Sequence, residues 1–321
     1  MIEAKSNFSL RKFTTIRIGG PAKYFVTAKT ERDLINAIAF AKEERVPWYL
    51  VGDGSNLIVS DRGFKGVVIQ NKIKKFSTCL PDGQASSDTK RLVTVGAGNN
   101  LLKLIFKLDG MGFAGMERMA GIPGTVGGAI YGCAGAYGQE IKDVLLKVRV
   151  FDGKKFFYLS KNQCQFGYRD SRFKKHKNLL IVEVILKLGA GDGRKLVKIS
   201  RDIIKLRAKK YRPGLHCPGS FFKNIKLIDI KPKALRNKFI KKIEPNRIMY
   251  GKVPAGYLLD QIGARGMRQG RIRVANHHGN LIYNSVGGEA SDVVTLSKRL
   301  TALVKNKFGI KIEEEVQYLG F

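Results

Sequence analysis

Two rhythms run through the apolar positions of this chain, one near 3.6 residues and one near 2, and the changes between them mark its elements. Thr30 and Asp33 stand at the spacing of a capping box, and Leu34, Ile35, Ile38 and Ala41 then recur at helical spacing. Residues 31–45 are therefore predicted to form an amphipathic helix. Apolar runs at 48–51 and 66–70 predict two strands, the first leading directly into Gly52-Asp53-Gly54-Ser55-Asn56. Residues 92–95, 144–151 and 179–188 have strand character, while 99–108 and the strongly basic 196–210 have helical character. A last helix is predicted over 292–308, ended by Gly309, because glycine readily takes the left-handed backbone of a helix terminus. Over 310–319 the alternation predicts a strand with Ile310, Ile312, Glu314, Val316 and Tyr318 on one face and Glu313, Glu315 and Gln317 on the other. Together these elements predict an α+β fold without internal repeats.

The stretch 110–138 is so rich in glycine that ordering it is costly unless its backbone must come close to something. It contains Gly121-Ile122-Pro123-Gly124-Thr125-Val126-Gly127-Gly128 and Gly135-Ala136-Tyr137-Gly138. Such bare backbone suits a flat cofactor or a pyrophosphate held by N–H groups, and equally a set of tight turns. A literal G-x-G-x-x-G occurs at Gly110, Gly112 and Gly115, but a dinucleotide fingerprint must follow a strand and open a helix, and here a predicted helix precedes it. No Lys-Ser/Thr pair follows Gly52 or Gly124, which excludes a P-loop.

At 321 residues the chain exceeds what one small core organises, so two or three domains are expected. Its most apolar stretch, 179–188, is strand-length and interrupted by Glu183 and Lys187, so no membrane association is expected. The first twelve residues carry Glu3, Lys5, Arg11 and Lys12 and lack the apolar run of a secretory leader, and a cytoplasmic location is expected. Cys79, Cys133, Cys164 and Cys217 lie far apart with no C-x-x-C pair, which argues against a zinc site or a disulfide framework; no metal is expected. Lys and Arg number 59 against 26 Asp and Glu, a net charge of +33 that raises the question of a nucleic-acid partner. The basic residues are spread along the whole chain, however, and no zinc finger, RNP motif or basic zipper accompanies them. No nucleic-acid partner is therefore expected, and the positive field would instead attract anionic ligands at low salt.

Gly52-Asp53-Gly54-Ser55-Asn56-Leu57, Gly115-Met116-Glu117, the run from Gly121 to Ala129, Gly135-Ala136-Tyr137-Gly138 and Ile18-Gly19-Gly20-Pro21-Ala22 together resemble the FAD-binding signatures of the UDP-N-acetylenolpyruvoylglucosamine reductases. The resemblance runs from about residue 16 to 315. It implies an FAD fold of the vanillyl-alcohol-oxidase type, with two α+β subdomains and no Rossmann unit, followed by a C-terminal α+β substrate domain. The corresponding boundaries are 1–75 and 76–205 for the FAD subdomains, 206–309 for the substrate domain and 310–321 for a returning strand. By position, Gly52, Gly54, Ser55, Asn56 and Leu57, with Gly121, Ile122, Thr125, Gly127 and Gly128, would line the FAD pyrophosphate. Direct passage from residues 189–193 into a helix, without a longer insertion carrying an extra tyrosine, matches the shorter of the family's two types. Where the family has Asn-Ala-Gly-Ala, this chain has Cys133-Ala134-Gly135-Ala136, and Cys133 is expected to be a small packed residue.

The same resemblance supplies a reaction centre. Gly219-Ser220-Phe221-Phe222-Lys223-Asn224 matches the segment in which Ser220 would donate a proton and Asn224 would hold the substrate diphosphate, with Ile225 in place of the usual proline. Tyr168-Arg169-Asp170-Ser171 matches a substrate-binding segment in which Arg169 would grip a carboxylate. Glu315 directly precedes Val316, as the family's catalytic glutamate does. The implied activity is NADPH-dependent, FAD-mediated reduction of UDP-N-acetylglucosamine enolpyruvate to UDP-N-acetylmuramate by a monomer acting on small molecules. Without the resemblance, Ser220 is a turn serine, Arg169 a surface cation, the three glutamates a solvated strand edge, and His278 a structural histidine. Two rivals differ in kind: another FAD-dependent oxidase of the same fold, and a basic nucleic-acid-binding protein.

Overall fold

The computed structural model describes residues 2–79 and 91–321, and these form two compact units. The first is built from Met1–Phe8, Ala22–Asp53 and Lys65–Lys209, the second from Ser9–Pro21, Gly54–Phe64 and Lys210–Phe321.

In the first unit, the strands Ala4–Ser9, Pro21–Ala28, Phe64–Asn71 and Trp48–Val51 lie in that order in one sheet, the last pair parallel with Trp48 opposite Val67. Helix Glu31–Glu43 begins at the anticipated capping box: Thr30 accepts from the Asp33 N–H while the Asp33 carboxylate accepts from the Thr30 N–H. Leu34, Ala37, Ile38 and Ala41 bury against Val26, Ala28, Val67 and Ile69, but Ile35, assigned to the same stripe, is exposed. A second sheet runs Phe156–Ser160, Leu145–Phe151, Leu180–Ala190, Arg91–Gly96, Phe76–Cys79, antiparallel throughout. Its central strand, Leu180–Ala190, has neighbours on both sides and packs on both faces, which is why its apolar run is nearly continuous. Glu183 interrupts that run at little cost because Lys75 meets its carboxylate at 2.7 Å and the Tyr158 hydroxyl donates to it at 3.2 Å. Helix Leu101–Gly110 precedes the G-x-G-x-x-G segment, and Phe113–Ala114 within it pairs with Gly189–Ala190. Among the described residues, the antiparallel order of this sheet is not that of a Rossmann unit.

The second unit packs helix Ala290–Phe308 against a three-stranded sheet, Arg268–Gln269, Ile272–Ala275 and His278–Asn284. Gly309 ends the helix at φ +78°, as anticipated. The terminal strand is shorter than the alternation predicts: only Gln317–Leu319 is strand, paired in parallel with Leu57–Val59, while Glu314 makes an isolated bridge to Phe222. The alternation holds for the burial of Ile310, Ile312 and Val316, but the ladder is broken because two different partners hold the two halves of the segment.

Candidate active site

Within the first unit the Gly-rich stretch wraps around a short helix, Val126–Tyr131, capped by Thr125. Gly52, at the end of strand Trp48–Val51, closes onto that cap: a Cβ on Gly52 would stand 2.5 Å from Thr125 Oγ1. A Cβ on Gly127 would stand 2.9 Å from that of Ala97. Both glycines are thus required for backbone approach. The N–H groups expected to serve an anion are partly spent inside the fold, since Val126, Gly127 and Gly128 donate to Asn99 O, Ala97 O and Thr125 Oγ1. Gly127 and Gly128 therefore offer an uncluttered surface rather than N–H donors. Gly121, at φ +80°, and Ile122 remain half-buried, and Gly128 is exposed. This accessible bare backbone fits a flat, extended cofactor.

Arg169 adopts a left-handed backbone, φ +53°. Its guanidinium donates from Nη1 to Cys133 O at 3.0 Å and from Nη2 to Gly135 O at 2.6 Å, so the fork expected to grip a carboxylate also fastens the loop carrying Cys133 and Gly135. The guanidinium lies 5.4 Å from the Tyr168 ring centroid, and Lys174 Nζ donates to Arg169 O. Cys133 is fully buried, and burial pushes its thiol up to about 11, as befits a packed residue rather than a nucleophile.

Within the second unit, the segment beginning at Ser220 is clamped from two sides. Phe221 donates its N–H to Asn280 O at 3.2 Å and accepts from the Glu315 N–H at 2.7 Å. Phe222 is bound in both directions by the Asn280 side chain, and Lys223 donates to Glu313 O at 2.8 Å. Ser220 follows Gly219, whose φ of +91° lets the chain turn into this clamp. The Asn56 amide donates to Pro218 O at 3.1 Å, and Gln317 donates to Asn56 O at 2.9 Å, so residues 54–57 are fastened to the segments that carry Ser220 and Glu315. Thr15 holds Gly54 and Ser55 through their carbonyls, and Leu57 is buried opposite Gln317.

The three adjacent glutamates separate by environment. Glu313 is exposed and paired with Lys223 at 3.1 Å. Glu314 accepts from Ser297 and sits beside Tyr318, whose hydroxyl is shifted upward by burial and by that carboxylate. Glu315 is the one whose main chain is bonded next to Ser220. Asn224 accepts from the Ala255 N–H at 3.2 Å through Oδ1, leaving its amide NH2 as the donor it can offer a ligand. Ile225 stands opposite Val253 in a two-stranded ladder, which steadies the backbone where a proline would otherwise do so. His278 is held near pH 4 by burial and by the Lys210 charge, and its Nδ1 accepts from Asn280 N, so it is a neutral structural residue as anticipated.

Two contacts to Ser220 escaped the sequence reading. Lys210 Nζ donates to Ser220 Oγ at 3.1 Å, and the Tyr211 hydroxyl lies 2.8 Å from the same oxygen. His277 Nε2 lies 2.8 Å from Lys210 O. The only sequence signal for Lys210 and Tyr211 is the end of a basic helix shortly before the Gly-Ser-Phe-Phe motif. Among the described residues no cluster of His, Cys, Asp or Glu could hold a metal, and no helix is long and apolar enough to cross a membrane.

Comparison with known proteins matches residues 22–154 to an FAD binding domain and residues 212–319 to the C-terminal domain of UDP-N-acetylenolpyruvoylglucosamine reductase. The chain is 41% identical to the UDP-N-acetylenolpyruvoylglucosamine reductase of Solibacter usitatus, covering 99% of this chain and 97% of that one. It is 34% identical to the same enzyme of Carboxydothermus hydrogenoformans over 98% of this chain and 93% of that one. The crystal structure of UDP-N-acetylenolpyruvylglucosamine reductase from Thermus caldophilus superposes with a TM-score of 0.73 at 28% identity, covering all of both chains.

Proposed function

We infer the roles of individual residues from one premise: this chain belongs to the UDP-N-acetylenolpyruvoylglucosamine reductase family. It is an FAD-dependent oxidoreductase that uses NADPH and reduces UDP-N-acetylglucosamine enolpyruvate in peptidoglycan precursor synthesis. Its product is UDP-N-acetylmuramate. Gly52, Gly121, Ile122, Thr125, Gly127 and Gly128 would line the FAD pyrophosphate, as would Gly54, Ser55, Asn56 and Leu57. Bound there and reduced by NADPH, FAD would supply the hydride for the β-carbon of the enolpyruvyl double bond.

Hydride addition leaves an electron pair on the α-carbon beside the carboxylate, and the residues named here answer that charge. Ser220 protonates the α-carbon. A serine hydroxyl is a weak acid in water, but it suffices against a far more basic carbanion when the donor is held in place. The observation that carries this role is the clamp on 221–223, which fixes Ser220 while Lys210 donates to its oxygen. Arg169, anchored through Cys133 O and Gly135 O, presents a cation to the substrate carboxylate, where charge-assisted pairing strengthens as charge develops. Glu315 assists the proton transfer, and Asn224 and Tyr168 bind substrate, Asn224 at the diphosphate. We place the enzyme in the cytoplasm, as a monomer on which cell shape and division depend through the wall precursor.

Visible spectroscopy under anaerobic conditions tests the donor. NADPH bleaches the flavin band of wild type and the enolpyruvyl sugar nucleotide restores it. Ser220→Ala bleaches normally and recovers at least about a hundredfold more slowly. A Ser220→Ala variant that recovers at the wild-type rate would remove Ser220 from the reaction.

A further inference from the structure

The two contacts on Ser220 Oγ are more than supports. An hydroxyl oxygen has one hydrogen and two lone pairs. Lys210 Nζ, an ammonium with no acceptor capacity, occupies one lone pair at 3.1 Å. The Tyr211 hydroxyl at 2.8 Å either accepts the serine hydrogen or donates to the second lone pair. Only the second arrangement leaves the Ser220 hydrogen directed away from Tyr211 and available to a carbon acid. A serine that gives up its proton must then recover one, and it must carry alkoxide charge in the meantime. Tyr211 is better suited than bulk water to supply that proton, because its hydroxyl is already in place 2.8 Å from the serine oxygen.

We propose that Tyr211 is a positioning residue that acts through Ser220, orienting its hydroxyl toward the substrate and passing it a proton as it gives up its own. The inference rests on Ser220 being the donor. In the step, the Ser220 O–H bond breaks as the new C–H bond forms at the α-carbon, and the O–H electron pair stays on Oγ. The Tyr211 proton moves to Oγ and its electron pair remains on the phenolate. That phenolate lies against Lys210, whose Nζ is 4.9 Å from the ring centroid, until bulk water returns a proton. The balance is one solvent proton delivered to carbon, with no further oxidant or reductant. Lys210 is held for this task by its own main chain, where His277 meets the carbonyl.

The test compares Tyr211→Phe, Ser220→Ala and wild type by stopped flow, following bleaching by NADPH and restoration by the enolpyruvyl substrate separately. Tyr211→Phe keeps wild-type bleaching and slows restoration by about a hundredfold, the lower end of what a placed proton donor contributes. Rates in mixtures of light and heavy water distinguish a relay from a support. The wild-type dependence is bowed, as two transferring protons require, and that of Tyr211→Phe is straight. A restoration rate and solvent dependence unchanged in Tyr211→Phe, with Ser220→Ala slow, would discard the relay and keep the donor. Wild-type restoration in Ser220→Ala would discard both. Loss of bleaching in Tyr211→Phe would also discard the relay, since Tyr211 would then serve the fold or the cofactor. A readout independent of turnover is the ring-carbon resonance of Tyr211 in protein labelled at tyrosine Cζ, assigned by its absence in Tyr211→Phe. It shifts in Ser220→Ala if the hydrogen bond exists, and an unmoved resonance would overturn the proposal.

Discussion

Asn280 binds the main chain of Phe222 twice, accepting from its N–H at 2.7 Å and donating to its carbonyl at 2.8 Å, so one side chain stands where a neighbouring strand would be. Asn280→Ala leaves both buried groups of Phe222 without that partner, at a cost of about 2–4 kcal/mol. Because Ser220 lies two residues away, the variant should also restore the flavin band more slowly while NADPH bleaching is nearly unchanged. Thermal unfolding and stopped flow on the same preparation check this; equal slowing of both half-reactions would mean that Asn280 serves the fold alone. Nothing local in the sequence shows that the Asn280 amide will meet main chain 58 residues away. Ser220 was readable because its motif is contiguous. Lys210 and Tyr211 were not, because a lysine closing a run of basic residues looks like any solvated helix face.

At the scale of elements, a polar seam joins helix Leu101–Gly110 to helix Gly193–Lys210. Asp109 is fully buried, and its Oδ2 lies 2.5 Å from Ser200 Oγ, which also reaches Glu117 O at 3.2 Å. Ser200 donates to that carboxyl, which favours its charged form, but removal from water outweighs the bond. Burial accordingly raises the Asp109 carboxyl to about 6, from 3.8. For an acid with a raised value the folded protein holds its proton more tightly than the unfolded chain. The stability gained from the neutral form is fully present below pH 4 and is lost as pH rises to about 6, by at most about 3 kcal/mol. Asp109→Asn keeps an acceptor for Ser200 and cannot ionise. Its melting temperature should exceed that of wild type at pH 7.5, and the difference should vanish at pH 4; a constant difference across that range would show that Asp109 stays neutral throughout. Periodicity placed both helices correctly, and the capping box and Gly309 were read directly. The seam was hidden because two inward polar residues break the apolar stripe on which such placement depends.

At the scale of the molecule, the least readable feature was the composition of the units. Residues 9–21 and 54–64 group with 210–321, yet each is too short to show a rhythm of its own. The net charge was plain from composition, but charge alone does not separate nucleic-acid binding from attraction for anionic metabolites, and family membership supports the second. A charge of +33 on a chain that binds UDP-linked and NADPH phosphates should act chiefly on encounter. Salt screens such a field over about 10 Å at 0.1 M, shorter than the dimensions over which it gathers ligand. Raising salt from about 0.02 to 0.3 M should therefore lower kcat/KM for both substrates, on the order of tenfold, when association limits it. Under the same change kcat should move less than about twofold, because the reacting groups lie at hydrogen-bond distance, where screening is weak. Steady-state rates at matched pH, with sodium chloride and a second monovalent salt to separate screening from specific anion binding, decide the point. A kcat/KM flat across the range would leave the lysines as surface solvation alone, and a fall confined to kcat would move their effect from encounter to the chemistry.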